Sequence, residues 1–101
     1  MYKRINPVEA KVIMDKGNDI IVDVREADEL DEGYIEGSIL VPLSDFDNKA
    51  KQLLPNKEAE YLVYCRSGRR SAIAAKRLVE LGYKNVLDFG GIIDWPFEIV
   101  M

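Results

Sequence analysis

The sequence predicts an α/β fold in which an open parallel sheet of about five strands carries helices on both faces. Short apolar runs with strand character alternate along the chain with segments that have helical spacing. Residues 20–24 are apolar at every position but one, which is typical of a strand buried on both sides of a parallel sheet. Because parallel strands need crossover connections, this alternation favours strands that all run in one direction. We expect residues 1–101 to form a single domain.

The first elements are a short edge strand at residues 2–5 and a helix that follows it. Asn6 suits the N-cap of this helix, Pro7 its first position, and Glu9 the capping-box position. Gly17 is expected to end it. Three apolar residues predict the buried face of the helix: Val8, Val12 and Ile13.

Asp23 interrupts the apolar run of the second strand, and Arg25 follows closely. A buried carboxylate usually needs a partner, so these residues are expected to form an ion pair. We favour a structural pair that braces a loop, with a supporting role behind a functional site as the alternative. Residues 26–33 carry five carboxylates and predict a solvated acidic helix. The alternative for this segment is a docking surface for a basic partner or a brake on anionic competitors.

The middle of the chain predicts a short strand and a second helix. Residues 39–41 have strand character, and Pro42 ends the strand because proline lacks the backbone N–H that a ladder uses. Ser44 is expected to cap the helix that follows, and Pro55 to end it. Four apolar residues of this helix are expected to face inward: Phe46, Ala50, Leu53 and Leu54.

The second half of the chain predicts two more strands and the longest helix. Residues 61–64 are expected to form a central strand and residues 86–89 the last one. An amphipathic pattern over residues 71–81 predicts a helix that ends at Gly82. Its apolar side comprises Ala74, Leu78 and Leu81, with Ala75 and Val79 beside them. Trp95 is expected in the core near the site, and a substrate-lining role is the alternative.

The loop after the central strand holds the residues best suited to chemistry. Cys65, the only cysteine, ends the strand, and three arginines follow directly: Arg66, Arg69 and Arg70. In an open α/β sheet, ligands bind at the carboxyl ends of the strands, where loop amides meet the positive end of the next helix. The succession of strand, loop and helix places Cys65 at that position.

A thiol becomes a good nucleophile as a thiolate, which nearby cations and a helix N-terminus favour. Gly68 allows the loop to turn, because glycine enters positive φ without steric cost. The backbone N–H groups of residues 66–71 can then surround the sulfur as an anion-binding nest. An isolated cysteine at a strand end is usually a core residue. Its coincidence with a turn glycine, clustered cations and a helix start predicts a reactive or anion-binding loop.

The composition restricts the partners and groups that the chain can use. A net charge of −4 argues against general nucleic-acid binding, so the arginine-rich loop suits a small anionic substrate. Without histidine, neither a cysteine–histidine catalytic pair nor a zinc site is expected, and we expect no cofactor or metal. A single cysteine, no apolar run of membrane-spanning length and no signal-peptide pattern lead us to expect a cytoplasmic protein without membrane association.

Three blocks of sequence resemble the single-domain rhodaneses, which are thiosulfate or persulfide sulfurtransferases. Residues 65–71 resemble their active-site loop, and residues 90–96 their Gly-Gly-x-x-x-Trp closing motif. Residues 21–26 with 33–39 are similar to the Asp-Val-Arg segment and its downstream Gly-His-Ile-Pro-Gly-Ala pattern. Tyr34 and Glu36 depart from that pattern, where histidine and proline are common. Both lie outside the loop, so they affect the expected turn geometry and partner contacts more than the sulfur chemistry.

The resemblance implies a rhodanese-like fold and a sulfurtransferase that works through a Cys65 persulfide. The sulfur would come from thiosulfate or a persulfide donor and pass to a thiol or cyanide, and a protein persulfide is a further expected partner. The implied substrate-binding residues are Arg66, Ser67, Gly68, Arg69, Arg70 and Ser71. Asp23 and Arg25 would support them from behind. Arg70 is expected to close the loop, and the other two arginines to attract substrate.

Two other functions remain open from the sequence. Phosphatases and arsenate reductases of related fold use a Cys-x5-Arg loop, whereas Cys65 and Arg70 here are separated by four residues and position 71 is serine. That spacing favours sulfur over phosphate chemistry. In the second alternative the domain is a binding module or redox sensor, in which Cys65 stores a persulfide or is oxidised. Catalytic turnover distinguishes an enzyme from such a module.

Overall fold

A computed structural model describes all 101 residues and shows one five-stranded sheet. Its strands are β1 (Lys3–Arg4), β2 (Ile20–Asp23), β3 (Ile39–Leu40), β4 (Glu60–Cys65) and β5 (Asn85–Gly91). The strand order is β1-β5-β4-β2-β3, and every pair of neighbours is parallel. The two longest strands, β4 and β5, therefore lie at the centre and near it, as expected for strands that bury both faces.

Three α-helices connect these strands: α1 (Pro7–Lys16), α2 (Phe46–Leu53) and α3 (Arg69–Glu80). Three short 3₁₀ segments complete the chain, at Ala27–Glu32, Leu43–Asp45 and Ile92–Asp94. The first of them, Ala27–Glu32, is called the acidic segment below. This element order confirms the predicted succession of strands and helices. No helix in the structure combines the length and the apolar character needed to cross a membrane.

The start of α1 confirms the predicted capping box. The Asn6 side chain accepts a hydrogen bond from the Glu9 backbone N–H at 2.8 Å, and the Glu9 carboxylate accepts one from the Asn6 N–H at 3.0 Å. Two N–H groups that the helix itself leaves unpaired are thereby satisfied. Gly17, at φ 78°, ends the helix in the left-handed conformation that the sequence predicts.

Two apolar cores lie on opposite faces of the sheet, which confirms the expected helices on both sides. Alternation along β4 directs Tyr61, Val63 and Cys65 to one core, together with buried residues of α2 and α3. Leu62 and Tyr64 point to the other core, where Ala10 of α1 packs with Ile35, Phe89 and Trp95. Cys65 therefore lies on the side of the sheet that α3 covers.

Two predicted helix faces were partly wrong. Val8 and Val12 are 60% and 54% exposed, whereas Ala10 is the fully buried residue of α1. Ala10, Ile13 and Met14 form the face that packs on the sheet, because α1 carries apolar residues on both of its sides. In α2, Phe46 and Ala50 are buried as predicted, and Leu54 just beyond the helix is buried too, but Leu53 is 42% exposed.

Three predicted helix ends also differ from the structure. Ser44 does not cap α2, because its hydroxyl donates to Glu26 at 2.7 Å and Asp45 occupies the N-cap position. The helix α3 begins at Arg69, two residues before Ser71, since the loop turns at Gly68. At its other end the C-cap is Leu81, and Gly82 follows at φ 99°.

Candidate active site

Cys65 is the last residue of β4 and is fully buried at the carboxyl end of the sheet. Its two sheet neighbours end at the same edge, with Asp23 closing β2 and Gly91 closing β5. Parallel strands bring their carboxyl ends together, and this edge is where α/β proteins bind ligands. The structure therefore places the thiol where the succession of strand, loop and helix predicts it.

The sulfur of Cys65 takes the place of a side-chain cap at the start of α3. Gly68, at φ 101°, is the N-cap residue and offers no side chain to the helix. Cys65 Sγ instead accepts hydrogen bonds from the backbone N–H of Gly68 at 3.0 Å and of Ser71 at 3.3 Å. These are the N-cap and third helical N–H groups, which carry part of the positive end of the helix dipole. The start of the helix thus directs two N–H donors at the sulfur.

The strand β5 fixes the first half of the reactive loop from behind. A Cβ atom at Gly91 would lie 2.5 Å from Ser67 Cα and nearer still to the Arg66 carbonyl oxygen, so a side chain there has no room. Just beyond, the Ile93 N–H donates to the same Arg66 carbonyl at 3.1 Å. The loop and the start of the Ile92–Asp94 segment are thus packed backbone against backbone.

Arg70 ties the other end of the loop to the acidic segment. Its two terminal nitrogens each donate to an oxygen of the Glu29 carboxylate at 2.7 Å. These hydrogen bonds lower the pKa of Glu29 to about 2, and they raise the pKa of Arg70. A bidentate pair of this kind fixes both side chains in orientation as well as distance.

The predicted solvated acidic helix is therefore only partly correct. The segment is a 3₁₀ helix, and Asp28, Asp31 and Glu32 are exposed on it. Glu29 instead faces the reactive loop, and its carboxylate also accepts the Glu26 N–H at 2.8 Å. Nothing local in the sequence indicates that one of five similar carboxylates would pair with Arg70.

Asp23 and Arg25 form a buried ion pair that braces the acidic segment. Arg25 Nη2 donates to Asp23 Oδ2 at 2.8 Å, and Nε donates to both carboxylate oxygens at 3.0 and 3.1 Å. The same guanidinium donates to the backbone carbonyls of Gly33 at 2.9 Å and Glu29 at 3.4 Å. This geometry is that of a structural ion pair that braces a loop, which the sequence favours. The braced segment also carries Glu29, which contacts the reactive loop through Arg70.

The remaining residues of the predicted site differ in exposure. Arg66, Ser67 and Arg69 are exposed, whereas Arg70 is half-buried and Ser71 is fully buried. A cavity of about 350 Å³ opens beside the loop and is lined by Arg25, Glu32, Arg66, Ile92, Ile93 and Ile99. A larger cavity of about 770 Å³ lies on the α1 face and contains no residue of the loop. Trp95 borders that larger cavity and packs against Phe89 and Phe97, in agreement with a core role, but its core lies on the other face of the sheet from Cys65.

Asp88 is a buried residue at the site that sequence reasoning missed. The Ser71 hydroxyl donates to Asp88 Oδ1 at 2.7 Å, and the Gly90 N–H donates to the same oxygen at 3.0 Å. Ser71 thus offers its backbone N–H, and not its hydroxyl, to Cys65. The available signal was a carboxylate inside an otherwise apolar strand, which predicts a partner but does not identify it.

The turn that contains Tyr34 and Glu36 is held by other groups than a histidine or proline. The Tyr64 hydroxyl accepts the Ile35 N–H at 3.1 Å and is 2.9 Å from the Ser38 hydroxyl. Burial raises the pKa of Tyr64 to about 12, so this phenol stays protonated. Tyr34 exchanges two backbone hydrogen bonds with Val100, at 2.9 and 2.7 Å.

No cluster of three or more cysteine, aspartate or glutamate side chains could hold a metal ion.

Known proteins resemble this chain in both fold and sequence. The Rhodanese-like domain family model matches residues 6–96. Thiosulfate sulfurtransferase GlpE of Coxiella burnetii is 35% identical over 99 residues, which cover 94% of this chain and 88% of that protein. The crystal structure of a rhodanese-related protein from Thermoplasma volcanium matches with a TM-score of 0.82 at 35% identity, over 98% of each chain.

Some relatives are longer than this chain. YrkF of Bacillus subtilis is 37% identical over 76 residues, which cover 74% of this chain but only 40% of that protein. The match to the family model nevertheless extends over nearly the whole chain and includes the three sequence blocks described above. The chain belongs to the rhodanese-like domain family.

Proposed function

We propose that this protein is a sulfurtransferase that carries a transferable sulfur on Cys65 as a persulfide. The observation that carries the proposal is the position of Cys65 Sγ, which accepts the N–H groups of Gly68 and Ser71 at the start of α3. Such donors stabilise a thiolate before the reaction and a charged terminal sulfur after it. The sulfurtransferase name of the Coxiella burnetii relative supports the same chemistry.

With thiosulfate as donor, the Cys65 thiolate attacks the outer sulfur. The bond between the two sulfur atoms of thiosulfate breaks, sulfite leaves with the electron pair, and Cys65 becomes a persulfide anion. In the second step an acceptor thiolate or cyanide attacks the terminal sulfur. The acceptor leaves as a persulfide or as thiocyanate, and the Cys65 thiolate returns. A persulfide donor follows the same course with a thiolate as the leaving group.

The arginines of the loop have separate roles in this proposal. Arg66 and Arg69 are exposed and attract the anionic donor to an otherwise acidic protein. Arg70 is bound to Glu29, so its main effect is to hold the loop closed around the sulfur. The donors that contact Cys65 Sγ, the atom to which the transferred sulfur binds, are the backbone N–H groups of Gly68 and Ser71.

The contact between Arg70 and Glu29 also bears on the phosphatase alternative. Both terminal nitrogens of Arg70 donate to Glu29, which leaves fewer of its N–H groups for an oxyanion. The four-residue spacing between Cys65 and Arg70 leaves a smaller loop. Both features support sulfur transfer over phosphate transfer.

Steady-state release of thiocyanate from thiosulfate and cyanide tests the proposal. We expect many turnovers per protein molecule in the parent chain and none in Cys65→Ser. A single equivalent of product, without further turnover, would instead identify a persulfide-storing module. Hydrolysis of aryl phosphates without thiocyanate formation would contradict the proposal.

A further inference from the structure

We propose that Asp88 is a positioning residue that fixes the reactive loop through Ser71; its consequence for sulfur transfer rests on the proposed function. The side chain of Asp88 is fully buried on β5, next to the start of α3. Its Oδ1 atom accepts the Ser71 hydroxyl at 2.7 Å and the Gly90 N–H at 3.0 Å. One carboxylate oxygen therefore joins the last strand to the residue whose N–H faces Cys65.

The hydroxyl of Ser71 has one proton and three acceptors within reach. Asp88 Oδ1 lies at 2.7 Å, the Gly68 carbonyl at 3.0 Å and the Gly90 carbonyl at 3.3 Å. The hydroxyl donates to the carboxylate, because a hydrogen bond to a charged acceptor is the shortest and strongest of the three. This bond ties Ser71 to β5 and so holds in place the first turn of α3, whose Ser71 N–H donates to Cys65 Sγ at 3.3 Å.

The other oxygen of Asp88 shows that charge is buried here at a cost. Oδ2 has no hydrogen-bond partner, and its nearest cation is Arg4 Nη1 at 3.7 Å. Arg4 lies on the edge strand β1, is largely exposed, and covers the glycines Gly68 and Gly90 from outside. Burying a carboxylate oxygen without a hydrogen bond costs free energy, and an exposed arginine at this distance offsets little of that cost. The hydrogen bond to Ser71 is what an apolar residue would fail to supply.

The proposal requires the Oδ1 acceptor and not the negative charge. Asparagine has the same shape and keeps an oxygen that can accept both the Ser71 hydroxyl and the Gly90 N–H. Alanine removes the acceptor and leaves the Gly90 N–H without a partner, so the Ser71 hydroxyl turns to a carbonyl. We therefore expect Asp88→Asn to restore the function that Asp88→Ala loses.

The test uses two readouts on the full chain. The first is the single-turnover rate of sulfur loading on Cys65 by thiosulfate, and the second is the rate of Cys65 alkylation by iodoacetamide. Asp88→Ala and Ser71→Ala are each expected to slow both reactions about tenfold, because a donor to the sulfur is misdirected. The double variant should be no slower than either single variant, because both changes remove the same hydrogen bond between Ser71 and Asp88. Asp88→Asn should remain within about threefold of the parent.

Leu54→Ala is the matched control, because Leu54 is fully buried beyond the end of α2 and its backbone hydrogen bonds join it to Ala50 and Tyr83, outside the loop. It should lower the melting temperature without slowing either reaction. Equal rates in Asp88→Ala and Leu54→Ala, multiplicative effects in the double variant, or an Asp88→Asn variant as slow as Asp88→Ala would each overturn the proposal. If Asp88→Ala does not fold, the rates of Ser71→Ala and Asp88→Asn are compared instead. Ser71→Ala should be slow and Asp88→Asn should stay close to the parent.

The two readouts separate this inference from the proposed function. Should the parent chain fail to accept sulfur while alkylation shows the expected pattern, the proposed function fails and the positioning role of Asp88 stands. Should sulfur loading proceed in the parent and in Asp88→Ala alike, the positioning role fails and the proposed function stands.

Discussion

Arg70 and Glu29 are joined by two hydrogen bonds of 2.7 Å, although they lie 41 positions apart in the sequence. This pair connects the reactive loop to the acidic segment. The acidic segment is in turn held by Arg25, which donates to the backbone carbonyls of Glu29 and Gly33. The loop around Cys65 is therefore supported from β5 on one side and from the acidic segment on the other.

Replacing Glu29 by glutamine should release Arg70 from its bidentate contact. We expect the single-turnover rate of sulfur loading to fall about tenfold, because the free end of the loop no longer holds the N–H groups on the sulfur. The free energy of unfolding should fall by about 1 kcal/mol or less, since the pair is partly exposed to solvent. Asp28→Asn, on the exposed side of the same segment, is the control and should change neither quantity. An unchanged loading rate in Glu29→Gln would show that the contact is not needed for the loop.

The same pair predicts a pH dependence of stability. The pKa of Glu29 falls from an ordinary 4.5 to about 2 in the folded protein, mainly through its hydrogen bonds with Arg70. Its contribution is therefore complete above pH 4.5 and is lost as the pH falls towards 2. Urea unfolding of the parent and Glu29→Gln should show a difference in free energy at neutral pH that shrinks over this range. A difference that stays constant down to the lower pH would contradict the assignment.

Gly91→Ala should disturb the loop directly. The added Cβ would meet the backbone of Arg66 and Ser67, which cannot move without shifting the loop. We expect a loss of about 1–3 kcal/mol in unfolding free energy from overpacking. Activity should fall about a hundredfold because the loop N–H groups are displaced. Gly17→Ala is the control, because an added Cβ there meets no atom within 4 Å. The φ of 78° is unfavourable for alanine, so stability should fall, but activity should not.

Asp23→Ala should be strongly destabilising. The change leaves the Arg25 guanidinium buried without its charged partner, which typically costs about 3–5 kcal/mol. Equilibrium unfolding in urea measures the loss. Asp47→Asn removes one partner of an exposed pair with Arg77 and should leave the unfolding midpoint essentially unchanged. Similar midpoints for the two variants would show that the Asp23–Arg25 pair contributes little.

Arg66 and Arg69 should affect donor capture more than the chemical step. Their combined replacement by alanine is expected to raise KM for thiosulfate about tenfold at low salt, with kcat changed little. Added salt should reduce the difference, because exposed charges are screened. Lys76→Ala removes an exposed cation elsewhere on α3 and serves as the control. A fall in kcat at unchanged KM would assign these arginines to the chemical step instead.

Local sequence was sufficient for the fold and for the position of Cys65. The capping box of Asn6 and Glu9 acts within four residues, and the succession of strand, loop and helix around Cys65 lies within one continuous stretch. Such features depend on neighbouring residues and on general properties of parallel sheets, so they can be predicted before any tertiary contact is known.

The contacts that shape the loop could not be predicted in this way. The Asp88 carboxylate meets Ser71 because of the register between β4 and β5, which includes an irregularity after Val63. Glu29 is one of five carboxylates in residues 26–33, and nothing local distinguishes it from the other four. The exposure of Val8 and Val12 has a similar cause, because α1 has two apolar sides and the orientation of the helix on the sheet selects one.

The intact mass of the reduced protein after incubation with thiosulfate shows whether Cys65 carries a transferable sulfur. The parent chain should gain the mass of one sulfur atom, and Cys65→Ser should gain nothing. Cyanide should then remove the added mass and release an equal amount of thiocyanate. No gain in mass with thiosulfate or with a persulfide donor would contradict the account, and so would an equal gain in Cys65→Ser.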